Sequence, residues 1–315
     1  MTTGPDGVGR VRTVYLGSGA FGAPSLRALV AHPRIQLVGV VTAPPRPVGR
    51  KQVLTPTPIH VLADELGLGP VLTPQRLRAP ESIAAILALR PALAVLADYG
   101  QIVPPALLDL PHGALNLHPS LLPRWRGAIP VPATIREGDA EAGVTLMRMD
   151  AGLDTGDIVA QERHPLTGRE TGPELEAAMA EAAGTLLARS LDAWLDGAVR
   201  PIPQAETGAA PALTRPLRRE DGRLDPWAGA AALERLVRAY LPWPGTFIEL
   251  DGERLIVSEA HTVSRAEGDV TGEIVREGQQ PALVAADGRL VLDTVTPPGR
   301  RPMPGADWLR GRRAP

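Results

Sequence analysis

The sequence predicts an α/β protein in which a Rossmann-like domain with a mainly parallel sheet is followed by a small β-barrel domain. In the first two thirds of the chain, short apolar segments typical of strands alternate with amphipathic segments typical of helices, as in parallel βαβ units. In the last third, one helical segment is followed by short strands separated by Asp-Gly and Glu-Gly, as in a small barrel. The length of 315 residues gives room for both domains.

The composition excludes several classes of protein. With 44% hydrophobic residues the chain can bury a core, and its formal net charge of −2 gives no overall basic field. Cysteine is absent, so disulfides, thiolate nucleophiles and cysteine zinc sites are excluded. The chain has no apolar run of about 18 residues, and residues 1–10 lack the apolar core of a secretory signal. We therefore expect a cytoplasmic protein without a membrane partner.

The first strand is predicted at residues 11–16, before a glycine turn at 17–22 and a helix over about 24–31. The turn is spelled Gly-x-Gly-x-x-Gly, which is typical of dinucleotide-binding sites. The strand predicted at 35–42 should then end in an acidic residue that binds the ribose hydroxyls, but the chain continues with Ala-Pro-Pro-Arg46. A 2′-phosphate site at Arg46 stays open, yet we favour a turn whose glycines let the first helix pack on the sheet.

The other elements of the first domain follow from the same patterns. In chain order, they are a proline-rich loop at 44–58, a helix at about 57–66, a strand at 70–72, a helix at about 80–89, strands at 92–97 and 144–149, and a helix at about 173–194. The strand at 92–97 is apolar throughout, so we expect both of its faces to be covered. Apolar residues recur at helical spacing in the last helix, so it should cover the sheet; they include Leu175, Met179, Leu186, Leu187 and Leu191.

The segment 197–211 is rich in proline and small polar residues, and it is predicted to link domains at 1–196 and 212–315. The second domain is expected to contain a helix at 227–240 and strands at 246–250, 253–258, 270–276, 281–286 and 289–295. Its 15 arginines are balanced by 15 aspartates and glutamates, so any RNA binding depends on where the arginines lie. The candidates are Arg300, Arg301, Arg310, Arg312 and Arg313.

Candidate catalytic groups occur where a short strand ends. Asn116 and His118 are two residues apart in a strand-forming run, so both side chains should leave the same face, and Pro119 then ends the ladder. Open α/β folds bind ligands at the carboxyl ends of their strands. The strand at 144–149 leads into a glycine-flanked loop that contains Asp154, and we expect this loop to reach the same region.

These residues resemble the motif of the folate-dependent formyltransferases. The family's Asn-x-His, Ser-Leu-Leu-Pro and later Asp are all present, and the continuation Arg-Trp-Arg-Gly-Ala128 and the rest of the chain also match. The chain resembles throughout those members whose acceptor is initiator methionyl-tRNA. The resemblance implies a Rossmann-like formyltransferase domain, an OB-like C-terminal tRNA-binding domain, 10-formyltetrahydrofolate as the formyl donor, no metal, and a monomer.

The resemblance also assigns roles to residues. Catalysis is expected to involve Asn116, His118 and Asp154. The folate is expected to contact Ser120, Leu121, Leu122, Pro123, Asp98, Tyr99 and Gly100. For Asp98, where the family more usually has a small residue, a hydrogen bond to the pterin edge and a cap of the following turn are both open, and we favour the cap. The tRNA is expected to contact Arg46, Arg50, Lys51, Arg124 and Arg126, with Trp125 either packing or stacking beside them.

The residue types suit transfer of a formyl group to an amine. The tetrahedral intermediate carries negative charge on the formyl oxygen, and Asn116 and His118 are hydrogen-bond donors for it. The attacking amine loses a proton and the folate nitrogen gains one, which an imidazole can mediate, and Asp154 would orient that imidazole. A serine hydrolase using Ser120 is disfavoured, because Ser120 lacks the Gly-x-Ser-x-Gly elbow and follows a proline.

The identity of the acceptor depends on the second domain. The first domain alone would equally suit phosphoribosylglycinamide or an amino-sugar nucleotide, whereas the resemblance of residues 212–315 favours methionyl-tRNA. The non-enzymatic alternative is an RNA-binding scaffold whose catalytic site is no longer active. Turnover of methionyl-tRNA with 10-formyltetrahydrofolate separates these possibilities.

Overall fold

The computed structural model describes residues 9–49, 51–250 and 252–311. The chain forms two compact units: the first comprises residues 1–127, 142–164 and 176–213, and the second comprises 128–141, 165–175 and 214–315. The segment predicted as a linker therefore belongs to the first unit, and the predicted domain limits stay a prediction. The predicted residues Arg50, Arg312 and Arg313 lie outside the described part of the chain.

The described residues contain an element at each predicted position and also several that were not predicted, among them the strand Ile158–Pro165 and the helices Pro130–Glu137 and Gly305–Gly311. The strands are β1 (Val11–Gly17), β2 (Ile35–Val41), β3 (Arg46–Val48), β4 (Val53–Thr55), β5 (Val71–Leu72), β6 (Leu93–Ala97), β7 (Ala114–His118), β8 (Arg126–Gly127), β9 (Glu141–Arg148), β10 (Ile158–Pro165), β11 (Leu213–Thr214), β12 (Thr246–Leu250), β13 (Glu253–Ser264), β14 (Ile274–Glu277), β15 (Gln280–Val284), β16 (Gly288–Thr296) and β17 (Met303–Pro304). The helices are α1 (Ala23–Ala31), α2 (Pro58–Glu65), α3 (Pro80–Ala88), α4 (Pro105–Leu108), α5 (Pro130–Glu137), α6 (Gly172–Leu195), α7 (Ala230–Ala239) and α8 (Gly305–Gly311).

The first unit is built on a seven-stranded sheet in the order β10-β9-β7-β6-β1-β2-β5. Strands β5, β2, β1, β6 and β7 pair in parallel, so the predicted mainly parallel sheet is confirmed. Strand β9 runs antiparallel to β7 and pairs His118 with Thr145. All five residues of β6 are buried, as the uninterrupted apolar run predicts. The apolar residues predicted for α6 are also buried, from Leu175 to Leu191.

The proline-rich segment predicted as a loop contains a short hairpin. Strands β3 and β4 pair antiparallel, with Val48 opposite Val53, and every residue of both strands is exposed. The sequence did not predict this hairpin. Strands are recognised by alternating apolar and polar residues, and this pattern is absent here because neither strand has a buried face and position 47 is proline. The hairpin presents large apolar side chains, led by Leu54 at 68% exposure, beside the exposed cations Arg46 and Lys51.

The second unit contains a six-stranded antiparallel sheet in the order β12-β13-β16-β15-β14, with β17 paired to β16. Strand β13 is longer than predicted because the register shifts around Ser258, where the alternation that marks a strand breaks and then resumes. Helix α7 buries Leu233 and Val237 in the same apolar core as Leu290. An antiparallel sheet in this region is confirmed, whereas its closure as an OB-like barrel stays a prediction. Among the described residues, no helix combines the length and the apolar character needed to cross a bilayer.

Candidate active site

Strand β7 ends in the two predicted catalytic side chains. It lies between β6, which runs parallel, and β9, which runs antiparallel. Asn116 and His118 alternate with buried leucines, so they share one face of the strand. Asn116 is half-buried, whereas His118 is only 5% exposed. Because an imidazole buried to this degree needs polar partners, its hydrogen bonds determine what it can do.

Both nitrogens of the His118 ring have a defined environment. Nε2 lies 2.8 Å from the Trp125 carbonyl oxygen, and Nδ1 lies 3.8 Å from Asp154 Oδ2. A carbonyl oxygen can only accept, so Nε2 carries a hydrogen and donates it. In the neutral ring the free lone pair is therefore on Nδ1, which faces the aspartate. The structure thus brings His118 and Asp154 together, as expected for an imidazole that exchanges a proton.

The carbonyl that fixes the His118 ring belongs to a strained residue. Trp125 has a φ of 60°, in the left-handed region that non-glycine residues rarely occupy. Its side chain is 8% exposed, and the guanidinium carbon of Arg124 lies 4.2 Å from its ring centroid. The packing alternative for Trp125 is therefore favoured over stacking on a nucleic-acid base.

Asp154 occupies a similarly strained position. Its φ is 51°, a conformation that costs on the order of 1–3 kcal/mol and persists only when the surrounding structure holds it in place. The carboxylate accepts a 2.8 Å hydrogen bond from the Gly127 backbone N–H. Asp150 fixes the start of the loop by accepting from the Gly152 N–H and the Thr155 hydroxyl. At Gly156, a Cβ would overlap the Arg148 carbonyl oxygen, which explains the second glycine of the motif.

A residue that the sequence pattern missed holds this loop from the other side. Gln204 is 4% exposed, and its Nε2 donates to the carbonyl oxygens of Asp154 and Gly156, each at 2.8 Å. Its Oε1 accepts from Arg126 Nε at 2.9 Å and Nη2 at 2.6 Å. Gln204 lies in the segment predicted as a linker, and composition alone gave no signal that it is buried.

The segment from Ser120 to Pro123, predicted to bind folate, is held by the neighbouring strands. Thr145 Oγ1 donates to the Ser120 carbonyl at 2.7 Å and accepts from the Leu122 N–H at 3.1 Å. Gln161 Nε2 donates to the Leu122 carbonyl and to Thr145 Oγ1. Leu122 packs with Met147 and Ile158, and it precedes a cis peptide bond to Pro123.

Ser120 and Leu121 are held in the same way. Ser120 is 2% exposed, and its hydroxyl donates to the Arg124 carbonyl at 2.6 Å. A buried hydroxyl committed to a carbonyl is poorly placed to act as a nucleophile, which argues against the serine hydrolase. Leu121 packs over Gly143, where a Cβ would overlap its side chain.

We expect Thr145→Val to weaken use of the formyl donor. Valine has nearly the same shape, but it leaves the Ser120 carbonyl and the Leu122 N–H without their partner, and each such loss costs about 1–3 kcal/mol. If about 1.4 kcal/mol of this free energy is lost from folate binding because the segment 120–123 shifts, KM for the folate rises about tenfold. Steady-state kinetics with varied folate measure this change. Thr145→Ser keeps the hydroxyl and serves as the control; an equal effect of both variants would contradict the role of the hydroxyl.

The Asp98-Tyr99-Gly100 segment ends β6 beside the glycine turn. Although Asp98 is exposed as a residue, its carboxylate lies against Gly19, where a Cβ would overlap Oδ2. Burial of the carboxyl group raises the pKa of Asp98, and a hydrogen bond from the Gly19 N–H partly opposes the rise. The Asp98 carboxylate thus contacts the first glycine turn, whereas the favoured cap and the hydrogen bond to the pterin edge both stay predictions. The carboxylate also argues against a dinucleotide there, because it would repel a pyrophosphate.

Tyr99 lies half-buried in the same segment. Its hydroxyl has no hydrogen-bond partner among the described residues, and burial raises the pKa of Tyr99 to about 12. The tyrosine therefore stays protonated at neutral pH and keeps a donor in this region. Gly100 is exposed. The folate contacts assigned to this segment stay a prediction.

The predicted tRNA-binding arginines differ in their surroundings. Arg46 and Lys51 are exposed on the β3–β4 hairpin, and Arg50 lies outside the described residues. Arg124 is exposed and stacks on Trp125. Arg126 is half-buried and donates to Gln204, so at least part of its guanidinium serves the protein itself. Within the described ranges, no group of three or more His, Asp or Glu residues is arranged to hold a metal ion.

The assembled groups suit acyl transfer to an amine. His118 offers a basic Nδ1 next to a carboxylate, and Asn116 offers an amide donor on the same face of β7. Positive φ angles at Asp98, Trp125 and Asp154 fall in segments predicted to form the site, and imposed strain of this kind is typical of functional sites.

Comparisons with known proteins agree with this chemistry. A family model described as "Formyl transferase" matches residues 11–191, and one described as "Formyl transferase, C-terminal domain" matches residues 216–313. The chain is 43% identical over 306 residues to a methionyl-tRNA formyltransferase of Roseiflexus sp. (strain RS-1), covering 96% of this chain and 93% of that protein. It is 42% identical over 305 residues to the methionyl-tRNA formyltransferase of Roseiflexus castenholzii, covering 96% of each.

Solved structures share the fold. An N-formyltransferase from Helicobacter canadensis, solved with folinic acid and dTDP-3-aminofucose, matches with a TM-score of 0.63 at 14% identity, over 90% of this chain and 98% of that one. HypX from Aquifex aeolicus, solved with tetrahydrofolic acid, matches with a TM-score of 0.61 at 17% identity, over 95% of this chain. The chain spans 47% of the length of HypX.

Proposed function

Because the chain belongs to the formyl transferase family, we propose that it transfers the formyl group of 10-formyltetrahydrofolate to the α-amine of initiator methionyl-tRNA, for translation initiation. The observation that carries this proposal is the placement of His118 Nδ1 beside the Asp154 carboxylate at the end of β7, next to Asn116. The acceptor is proposed from the two relatives named methionyl-tRNA formyltransferase, which match the chain over 96% of its length.

The reaction needs no covalent enzyme intermediate. The amine attacks the formyl carbon, and a tetrahedral intermediate forms with negative charge on the formyl oxygen. In this proposal the Asn116 amide donates a hydrogen bond to that oxygen, and such a donor contributes roughly 10²–10³ in rate. Collapse of the intermediate breaks the bond to the folate nitrogen and releases tetrahydrofolate and formylmethionyl-tRNA.

His118 supplies the proton exchange. The amine must lose a proton as it attacks, and the folate nitrogen must gain one as it leaves. Nδ1 is the basic atom, because Nε2 already donates to the Trp125 carbonyl. Once Nδ1 is protonated, the Asp154 carboxylate at 3.8 Å stabilises the positive charge. The proton can then pass to the leaving nitrogen.

The acceptor is proposed to meet the exposed β3–β4 hairpin. The hairpin combines the exposed cations Arg46 and Lys51 with the exposed apolar residues Val48, Val53 and Leu54. Cations contact phosphates, and apolar side chains pack on bases or sugars at the end of an RNA chain. Arg50 and Arg124 are proposed to add phosphate contacts. Residues 212–315 are proposed to form an OB-like tRNA-binding domain, and the protein is proposed to act as a cytoplasmic monomer.

An assay with three acceptors tests the proposal. The wild-type protein and 10-formyltetrahydrofolate are mixed with methionyl-tRNA, phosphoribosylglycinamide or an amino-sugar nucleotide, and formation of tetrahydrofolate and formylated product is followed. We expect kcat/KM for methionyl-tRNA to exceed the other two by at least about 100-fold, because a site built for one acceptor leaves polar groups unpaired with another. Preference for either small acceptor, or binding of tRNA without turnover, would refute the proposal.

A further inference from the structure

Gln204 is a fully satisfied side-chain amide in a segment whose composition predicts a linker. Both of its amide hydrogens are donated to backbone carbonyls, of Asp154 and Gly156, and its oxygen accepts two guanidinium hydrogens of Arg126. An amide has two donors and two acceptor sites, so this glutamine has no hydrogen-bonding capacity left. At 4% exposure, it contributes almost nothing to the surface.

Arg126 sets the orientation of this amide. A flipped amide would place its NH2 group against the guanidinium donors and its oxygen against two carbonyl oxygens. Both contacts are repulsive, so the guanidinium forces Nε2 to face Asp154 and Gly156. Since Arg126 follows directly on Trp125, whose carbonyl holds the His118 ring, the same short segment anchors both members of the His118–Asp154 pair.

The Gln204 amide binds a segment with an unusual backbone conformation. Asp154 has a left-handed backbone, and its carboxylate reaches Gly127 and His118 in that conformation. The Gln204 amide binds the carbonyls at 154 and 156, which lie within the turn, and so opposes its relaxation to an ordinary φ. Asp150 holds a different part of the loop, at Gly152 and Thr155.

We propose that Gln204, oriented by Arg126, is a positioning residue for formyl transfer that holds the Asp154 carboxylate beside His118. The proposal rests on the function proposed above, in which Asp154 acts through His118. Gln204 does not touch the substrates; it acts through Asp154. Partners that orient metal-binding side chains change affinity or activity by about 10–100-fold when they are replaced, and we expect an effect of the same order here.

The substitution Gln204→Glu tests the two hydrogen bonds that the Gln204 amide donates. Glutamate keeps an oxygen for Arg126, but it loses both amide hydrogens and brings a carboxylate against two carbonyl oxygens. We expect kcat to fall about 10–100-fold, with both KM values within about threefold of wild type. Gln36→Glu is the matched control, because Gln36 also accepts from an arginine, Arg12, but lies near the start of β2, away from the site. Its kcat should stay within about twofold.

A double variant separates positioning from general destabilisation. In the Asp154→Asn background, Gln204→Glu should lower kcat by less than about threefold further, because the group it positions no longer carries its charge. A purely structural role would give effects that multiply. Multiplied effects, or a Gln204→Glu protein whose kcat equals that of wild type, would overturn the proposal.

Hydrogen exchange provides a readout that needs no substrate. Amide exchange of peptides covering residues 150–157 should be faster in Gln204→Glu than in wild type, with other regions unchanged. If the Gln204→Glu protein does not fold, Gln204→Ala is used in its place, since the shorter side chain lets water reach the two carbonyl groups. Unchanged exchange at 150–157 would also overturn the proposal. If wild type fails to formylate methionyl-tRNA, the proposed function falls, and the exchange experiment still decides the role of Gln204.

Discussion

Replacing His118 by alanine is expected to lower kcat for formyl transfer by about 10³-fold. The substitution removes the basic Nδ1 that faces Asp154, and it leaves the Trp125 carbonyl without its donor. Because its proposed role is proton exchange during the reaction, His118 is expected to contribute to the transition state more than to substrate binding. Both KM values should therefore stay within about threefold of wild type. Steady-state kinetics with both substrates varied measure the two effects separately.

A histidine in the turn before β7 provides the control. His112 lies before β7, at the opposite end of the strand from His118. Its backbone carbonyl accepts from Trp194 Nε1, and its backbone N–H donates to the Ala92 carbonyl. His112→Ala keeps both backbone groups, so its kcat should stay within about twofold of wild type. A His118→Ala protein that retained more than a tenth of wild-type kcat would contradict the proposed proton exchange.

The sheet and the site's main groups were predictable because their signals are local. An apolar run long enough for a strand, a proline that ends it, and side chains at period two all occur within a few residues of Asn116 and His118. The approach of Asp154 to His118 required more, since β9 runs antiparallel to β7 and the loop must fold back. The alternating strand at 144–149 and its glycine-flanked loop indicated that Asp154 reaches this region, and the family motif indicated that it pairs with His118.

The supporting residues could not be predicted because their roles depend on contacts between distant parts of the chain. Thr145 reads as an ordinary strand residue, yet its hydroxyl holds two backbone groups of the folate segment. Gln204 reads as part of a polar linker, yet it is buried under the Asp154 loop. Neither residue type nor spacing marks such a partner, because one amide or hydroxyl in a polar segment is usually solvated.

The glycine turn illustrates how a motif acquires meaning from its surroundings. The Gly-x-Gly-x-x-Gly spelling suits a pyrophosphate, but the structure uses the glycines for close packing: a Cβ at Gly22 would overlap the Tyr15 hydroxyl, which donates to the Gly22 carbonyl. The Asp98 carboxylate accepts a hydrogen bond from the Gly19 N–H, which is then not available to a pyrophosphate. The interpretation of the turn as a packing device is therefore the one that the contacts support.

Replacing Asp154 by asparagine is expected to lower kcat by about 10²–10³-fold while the fold is retained. Asparagine keeps an oxygen for the Gly127 N–H, and it is among the non-glycine residues that best tolerate the left-handed φ of 51°. What it loses is the negative charge 3.8 Å from His118 Nδ1, which stabilises the protonated ring during transfer. Thermal unfolding should therefore be nearly unchanged, and the loss should appear in kcat.

Two further variants test whether the effect at Asp154 comes from its negative charge. Asp154→Ala removes the Gly127 hydrogen bond as well, so it should lower both kcat and the melting temperature. Asp192→Asn removes an exposed carboxylate of the same unit, which pairs with Arg34, and it should leave kcat within about twofold of wild type. If Asp154→Asn turned over as fast as Asp192→Asn, the carboxylate would have no electrostatic role, and the pairing with His118 would serve the fold alone.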